Sequence, residues 1–374
     1  MSEASLTLSS LSSIEATAVS REPDTCILGS WSSYSRRRKN LDVLIHEAVA
    51  GVLRRTGATL DAVDCVVTVS SDTVDGAIAP LLRSEASGAP GHDYLHVTGA
   101  SASAIHAALT LIKSNLAGTV LVVGWGEWTK KVVDEIPDLE TDPVFHRPLG
   151  IGSLQLASMQ TSWLIDRGLV SRDAAIAFAD AMRARKYELD ELRKSRTKRL
   201  AAPQEATSVG LCRELMPDGV DRATALLLSS TQQKGPTPRL WIDGIATRFR
   251  PLWPQQEDLD PAVWVSEVLR QCRLSHGDLA GMAIEVSSTN AVIGLRALSA
   301  LGAAGDWTKN SFLNRFGGGL AAYSGAADGL ARIDLLARVG FGETSGPTPK
   351  GSLVIELAGP LGQATASIHL SDAP

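Results

Sequence analysis

Cysteine is scarce in this chain and widely scattered. Cys26, Cys65, Cys212 and Cys272 form no CxxC pair, which argues against a zinc site and against a disulfide framework. They read as small core residues, with Cys65 and Cys272 inside apolar-rich segments. Long hydrophobic runs are absent too: none approaches the roughly 18 residues that a membrane-spanning helix needs. There is no excess of basic charge. A net charge of −5 and a pI near 5.8 give no electrostatic reason to expect nucleic acid or an anionic membrane as partner. Met1 to Ser20 is rich in Ser and Ala but lacks the basic segment and apolar block of a secretory signal. The expectation is a cytoplasmic protein without a metal. Its 374 residues, 44% hydrophobic and 21% charged, are enough for two cores.

The stretch that organises the rest is VTGASASAIHAALTLIKSNLAGTVLVVGWGEWT, from Val97 to Thr129. Ser101 to Ala104 open a helix of small residues that Ala107, Ala108, Leu111 and Ile112 continue at 3–4 spacing, so it packs closely on all sides. After Gly118, the run Thr119 to Val123 is apolar and β-branched without alternation, as a parallel strand covered on both faces requires. Gly124 and Gly126 then read as a tight turn under Trp125 and Trp128.

In chain order, residues 1–22 read as a loose tail. Thr25 to Gly29 starts a strand, and a polar loop from Trp31 to Asn40 carries Arg36, Arg37, Arg38 and Lys39. Leu41 to Arg55 is an apolar-striped helix ended by Gly57, and Val63 to Val69 a buried strand. That unit recurs: LDAVDCVVTVSS, ending at Ser71, is matched 217 positions later by GDLAGMAIEVSS, ending at Ser288. The Ser101 helix and Val120 strand are echoed by a helix from about Tyr323 to Arg338 and the strand Ser352 to Leu357. The segments are then 23–133 with 205–235 for a first half, 134–204 for an insertion, and 236–374 for a second half. Two such halves imply a pseudo-twofold arrangement of two sheets around a pair of buried helices. The insertion ends in Arg183 to Arg199, a run with eight Lys and Arg among acidic residues. It reads first as a solvated face.

The helix tip GASASA and the buried strand after it resemble the nucleophile segment of the thiolase superfamily, most closely the thiolases of the sterol-carrier-protein-X type. The likeness covers roughly residues 25 to 370. It implies a five-layer α-β-α-β-α fold, a dimer, and chemistry at carbon–carbon bonds beside an acyl thioester, with a coenzyme A thioester as substrate and no covalently bound cofactor. In that family a Cys stands at the helix tip; here Ser101 does. A His-Asp-x-Phe loop reads IEVSSTN, which puts Ser287 in the His position and Asn290 in the Phe position. The Asn-x-x-Gly-Gly loop reads NRFGGGLAAYSGAADG. It keeps Asn314, Gly317, Gly318 and Gly319, but the second His position falls on Ser324 or Tyr323. A C-terminal loop that brings a further Cys or His reads IELAGPLG, with Leu357 in that place. By the same resemblance the insertion is a lid over the coenzyme A arm, where Arg183, Arg185 and Lys186 would meet phosphates alongside the Gly317–Gly319 loop.

A hydroxyl is much harder to ionise than a thiol, and no imidazole stands beside Ser101 to activate it. The histidines offer little: His46 and His106 read as packed on helices, His92, His96 and His276 flank loops, and only His96 is kept as a candidate. The leading expectation is a thiolase-like subunit, itself non-catalytic, in a homodimer or in a heteromer with an active thiolase- or ketosynthase-like chain or an OB-fold protein. A second is a Cys-independent enzyme, an acyltransferase or a retro-aldolase of a β-hydroxyacyl thioester, using Tyr323, Ser324 or Ser101. A third is a carrier of acyl or sterol ligands.

Overall fold

A computed structural model describes residues 25–35, 40–71, 79–128, 144, 147–149, 151–185, 197–199, 212–230, 240–250, 259–302, 312–341, 349–359 and 364–371. The 1–22 tail, the Arg36–Lys39 run and Lys186 lie outside them. The strands are β1 (Thr25–Tyr34), β2 (Cys65–Ser70), β3 (Asp93–Thr98), β4 (Thr119–Gly126), β5 (Thr197–Arg199), β6 (Asp218–Val220), β7 (Arg222–Ser230), β8 (Leu240–Phe249), β9 (Ala283–Ser287), β10 (Ser352–Ala358) and β11 (Ala364–Ser371). The helices are α1 (Leu41–Thr56), α2 (Ala79–Ser87), α3 (Ser101–Lys113), α4 (Ser153–Asp166), α5 (Arg172–Arg185), α6 (Pro261–Gln271), α7 (Ala291–Ala300), the one-turn α8 (Gly318–Ala321) and α9 (Asp328–Gly340).

Nine strands form one mixed sheet in the order β3-β2-β4-β7-β1-β8-β11-β10-β9. Outward from the β1–β8 junction the order is the same on both sides, β7-β4-β2 and β11-β10-β9. Parallel pairs β2–β4 and β9–β10 hold corresponding places. The two sheets expected from the sequence are thus joined, since Cys26 pairs with Trp241 and Ile27 with Leu240.

Among the described residues, three large cores sit on this sheet. α1, started by its Asn40 cap and stopped by Gly57 in the left-handed region, packs Leu44, Ile45 and Val49 on Val66, Leu121 and Trp125. α3 and α9 share a second core with Val67 and Val122 of the first half and Val354 and Ile368 of the second. The third core joins Phe178 and Met182 of α5 to Trp264 of α6, Val292 of α7, and Ile284 and Ile355. The described part of the insertion is therefore built into the core of the second half.

Several sequence expectations are corrected. β1 runs on through Tyr34, because its serines are strand residues: Ser32 Oγ lies 2.9 Å from Thr224 Oγ1 on the neighbouring strand, and Ser33 donates to Glu47 at 2.6 Å. Gly124 and Gly126 are strand residues rather than a turn. They make room, since a Cβ on Gly126 would stand 2.1 Å from the Ser324 carbonyl oxygen. His46 and His106 are exposed. The second central helix starts at Asp328, not Tyr323. The repeat is also one residue out of structural register. Cys65, Val67 and Val69 face the central core, whereas Ile284 and Val286 face the outer one, so Val67 corresponds to Glu285. A one-residue slip exchanges the faces of a strand, and strands buried on both sides carry no alternation to fix the register.

Candidate functional site

The tip of α3 meets β10 of the second half. Ala100 at the N-cap supplies no side-chain oxygen, so the first N–H groups of α3 need acceptors from elsewhere. Glu356 of β10 provides them: Oε1 accepts from Ser101 N at 3.1 Å and Oε2 from Ala102 N at 3.0 Å. The Ser101 hydroxyl donates to the Ala326 carbonyl at 2.7 Å. Ser101 is fully buried and Glu356 only 1% exposed. Gly329 makes the space, because a Cβ there would stand 2.7 Å from Glu356 Oε2. Burial drives the Glu356 carboxyl up to about 7, with Asp328 adding to the rise against the pull of the two N–H groups.

A second buried carboxylate, Glu285 of β9, plays the same part for the Gly-rich loop. It accepts from Phe316 N at 3.0 Å and Gly318 N at 3.2 Å, around Gly317 at φ 88°. Successive N–H groups in such a turn form an anion-binding concavity, and here the chain's own acid fills it. Asn314 also serves this loop, its side-chain oxygen accepting from Val286 N at 2.7 Å. Burial raises Glu285 above the usual carboxylate range, against the opposing pull of Arg332.

Asp328 and Arg332 on α9 link the two acids. Arg332 donates to Asp328 at 2.9 and 3.1 Å and to the Ala322 carbonyl at 2.7 Å, and its Nη1 lies 3.8 Å from Glu285. Burial pushes Asp328 up, but Arg332 and Arg222 outweigh it, and it lies below the usual range. Arg222 sits 3.9 Å from Asp328 with its guanidinium over the Tyr34 ring at 4.5 Å. All of these charged groups are fully buried.

The sequence-predicted residues divide around this network. Ser324 is bound through N and Oγ to Asp328 at 3.2 and 3.3 Å, and the Ser287 hydroxyl also bonds Asp328. Asn290 caps α7, its side chain accepting from Ile293 N at 3.0 Å. Leu357 faces the outer core, where it packs as an apolar residue. Tyr323 is held through its backbone by Asp218 and Val220, at 2.8 and 2.9 Å, and its ring lies 5.2 Å from that of Trp128. Asp221 accepts from Trp128 N at 2.6 Å. His96 meets Thr68 Oγ1 at 2.8 Å on the edge strand β3.

Arg183 and Arg185, expected at phosphates, are tied to the protein's own carbonyls. Arg183 donates to Glu214 and, at 2.7 Å, to Met216; Arg185 donates to Leu313 and, at 3.1 Å, to Asn314. Arg183 pins α5 to the turn at 214–216 and Arg185 to the loop before Gly317, whose Cβ would stand 2.4 Å from the Met182 carbonyl. Gly319 lies against the backbone of Ser288. Glu285 and Glu356 were legible as a signal, each a lone acid after Ile in an apolar strand, AIEVS and VIELA. A charge there needs buried partners.

No family model matches the chain, and no curated protein matches it in sequence. Among solved structures, a chain of the Ltp2-ChsH2(DUF35) aldolase is similar with a TM-score of 0.71 and 17% identity, over 94% of this chain and 99% of that one. The likeness supports a thiolase-related α/β fold and does not extend to the sterol-carrier-protein-X type. No helix among the described residues is long and apolar enough to cross a membrane.

Proposed function

We propose that the chain is the thiolase-fold subunit of a heteromeric assembly that breaks or forms the carbon–carbon bond beside an acyl thioester without an acyl-enzyme intermediate. The observation that carries this reading is the state of Ser101. Its hydroxyl donates to the Ala326 carbonyl and also bonds Glu356, its N–H group is taken by the same carboxyl, and among the described residues no imidazole is bonded to it. An attacking hydroxyl needs a free base and an oxyanion needs open N–H groups, and here the one carboxyl beside the hydroxyl is engaged in capping those N–H groups. The three cores support reading the helices and strands as five layers, α1 and the α6–α7 pair outside and α3 with α9 between.

A retro-aldol cleavage requires neither nucleophile nor thiolate. The β-hydroxyl proton is relayed to water, the oxygen pair closes a carbonyl, the Cα–Cβ bond breaks, and the thioester enolate takes a proton from water at Cα. Tyr323, beside Trp128 on the loop that follows α8, is the group assigned to the β-oxygen proton. The substrate class is a β-hydroxyacyl thioester of coenzyme A, and the partner an OB-fold protein, in keeping with the two-component aldolase that the fold resembles. The test is turnover of a β-hydroxyacyl-CoA by the chain co-purified with such a partner. Tyr323→Phe abolishes cleavage and Ser101→Ala retains it; loss in Ser101→Ala with acyl-enzyme in the wild type sinks the reading.

A non-catalytic subunit is the second reading, favoured by the burial of Tyr323 against Trp128, where the ring fills volume. It predicts an assembly whose turnover is indifferent to Tyr323→Phe.

A further inference from the structure

The junction between outer helix and central strand pair is built alike in the two halves, yet it is sealed in one and open in the other. In the first half β1 bulges at Leu28, and Gly29 stands opposite Leu227. The end of α1 closes on it: a Cβ on Gly29 would lie 2.5 Å from the Thr56 methyl, and Arg55 donates to the Ser30 carbonyl at 3.2 Å. Leu28 and Leu227 pack into the apolar core under α1. In the second half β8 bulges at Asp243, and Gly244 stands opposite His369. Here the atom nearest a Cβ on Gly244 is the Cys272 sulfur, at 3.6 Å. A cleft of 380 Å³ opens beside it, lined by Asp243, His369, Cys272 and Arg273. Two leucines of the first half are thus an acid and an imidazole in the second. The residue that ends the helix changes as well, from Gly57 at φ 69° after α1 to Arg273 at φ 56° after α6. That left-handed position ordinarily goes to glycine, and here it carries a guanidinium to the cleft.

The charges around the cleft are not equally free. Asp278 accepts from Ser275 N and Oγ at 2.7 and 2.6 Å, and Asp243 accepts from Ser371 Oγ at 2.8 Å and lies 3.7 Å from His369 Nδ1. Both carboxylates are held by their own surroundings. Arg273 and Lys350, which also line the cleft, are exposed, and among the described residues neither has an ion-pair partner. We propose that this cleft binds an organic phosphate of mononucleotide size, with Arg273 and Lys350 on the phosphoryl oxygens and the apolar wall of Ile245, Leu274 and Met282 against the organic part. Two free cations from separate segments match a phosphate dianion, whereas a monocarboxylate would leave one of them unmatched. The volume falls within the range of small-molecule sites. Lys350 precedes β10, while Glu356 is near its other end. The inference therefore stands apart from the Ser101 and Tyr323 surroundings and from the aldol reading.

The experiment is calorimetric titration of the full chain with AMP, and with adenosine as the same body without its phosphate. AMP is expected to bind saturably with a Kd below about 1 mM, and adenosine not to bind. Arg273→Gly keeps the left-handed turn, and Lys350→Ala alters an exposed position; each is expected to weaken AMP about tenfold. Lys113→Ala, an equal change of charge at an exposed position on α3, is expected to leave the affinity unchanged. No AMP binding up to ~10 mM, or adenosine binding as tightly as AMP, overturns the proposal. So does an AMP affinity that both cleft variants retain, or that Lys113→Ala lowers equally.

Discussion

Val67, Val69 and Gly124 line the inner face of the first half where Glu285, Ser287 and Glu356 line that of the second. The helices repeat the contrast. α3 turns Ala104, Ile105 and Ala108 inward, while α9 buries Asp328, Arg332, Asp334 and Arg338. The backbone scheme is shared, and the chemistry is not. Packing alone does not demand this asymmetry, because the first half shows that apolar residues suffice to bury the same helices. Buried charges are costly to desolvate and are weak evidence for stability. Six of them, Glu285, Asp328, Arg332, Asp334, Arg338 and Glu356, lie in the second half, and the network they form reaches Arg222 of the first.

The contrast is broken most severely at Arg332. Arg332→Met takes from Asp328 its hydrogen-bonded cation, leaving Arg222 at 3.9 Å, and from Glu285 the nearer guanidinium, and the expected loss is about 3–5 kcal/mol of unfolding free energy in urea. The comparison on α3 is Ile105→Val, at the same depth in an apolar setting, for which about 0.5–1.5 kcal/mol is expected. Equal losses at the two positions would show that the charges of α9 are no more than filler.

Next comes pH. The Glu356 carboxyl is raised from 4.5 to about 7 in the folded chain, so folding takes up a proton in that window. Its contribution to stability is fully present below about pH 4.5 and is lost as pH rises through 7. For a group raised by this much, roughly 2–3 kcal/mol separates pH 5 from pH 8. Glu356→Gln is expected to remove this slope, measured as urea stability at the two pH values. A slope that persists in the variant assigns it to another group.

The duplicated strand–helix plan was legible because apolar runs and helix stripes survive in both halves, down to the LDAVDCVVTVSS and GDLAGMAIEVSS pair. So was the position of Ser101, since a helix of small residues before a buried strand is a strong pattern. What was not legible follows from long-range pairing. Glu356 reaches Ser101 across 255 residues, and no local pattern says which helix end a lone strand acid will cap. Arg183 and Arg185 looked like surface charge in a basic run, yet they bind carbonyls of distant loops. The serines of β1 resembled a loop because their partners, Thr224 and Glu47, lie on other elements.

Gly329→Ala tests the space that the second half reserves for its acid. The added methyl would stand 2.7 Å from Glu356 Oε2, and overpacking of that kind costs about 1–3 kcal/mol. In a Glu356→Ala background the cost is expected to vanish, because the residues then no longer compete for one volume. A cost that survives in the double variant would place the clash in the helix rather than at the carboxyl.

The smallest effect is expected at Ser101, the residue that the sequence marks most plainly. Ser101→Ala removes the hydroxyl's hydrogen bonds to the Ala326 carbonyl and to Glu356, and about 1 kcal/mol of stability with them. Ser101→Cys restores the thiol of the thiolase pattern but none of its surroundings: Glu356 still holds the N–H groups, so the tip offers no open oxyanion site. Incubated with acetyl-CoA and weighed intact, this variant is expected to carry no acetyl adduct at position 101. An adduct there would mean that the helix tip is open and activated, and that the difference between the halves lies elsewhere than in the capped helix end.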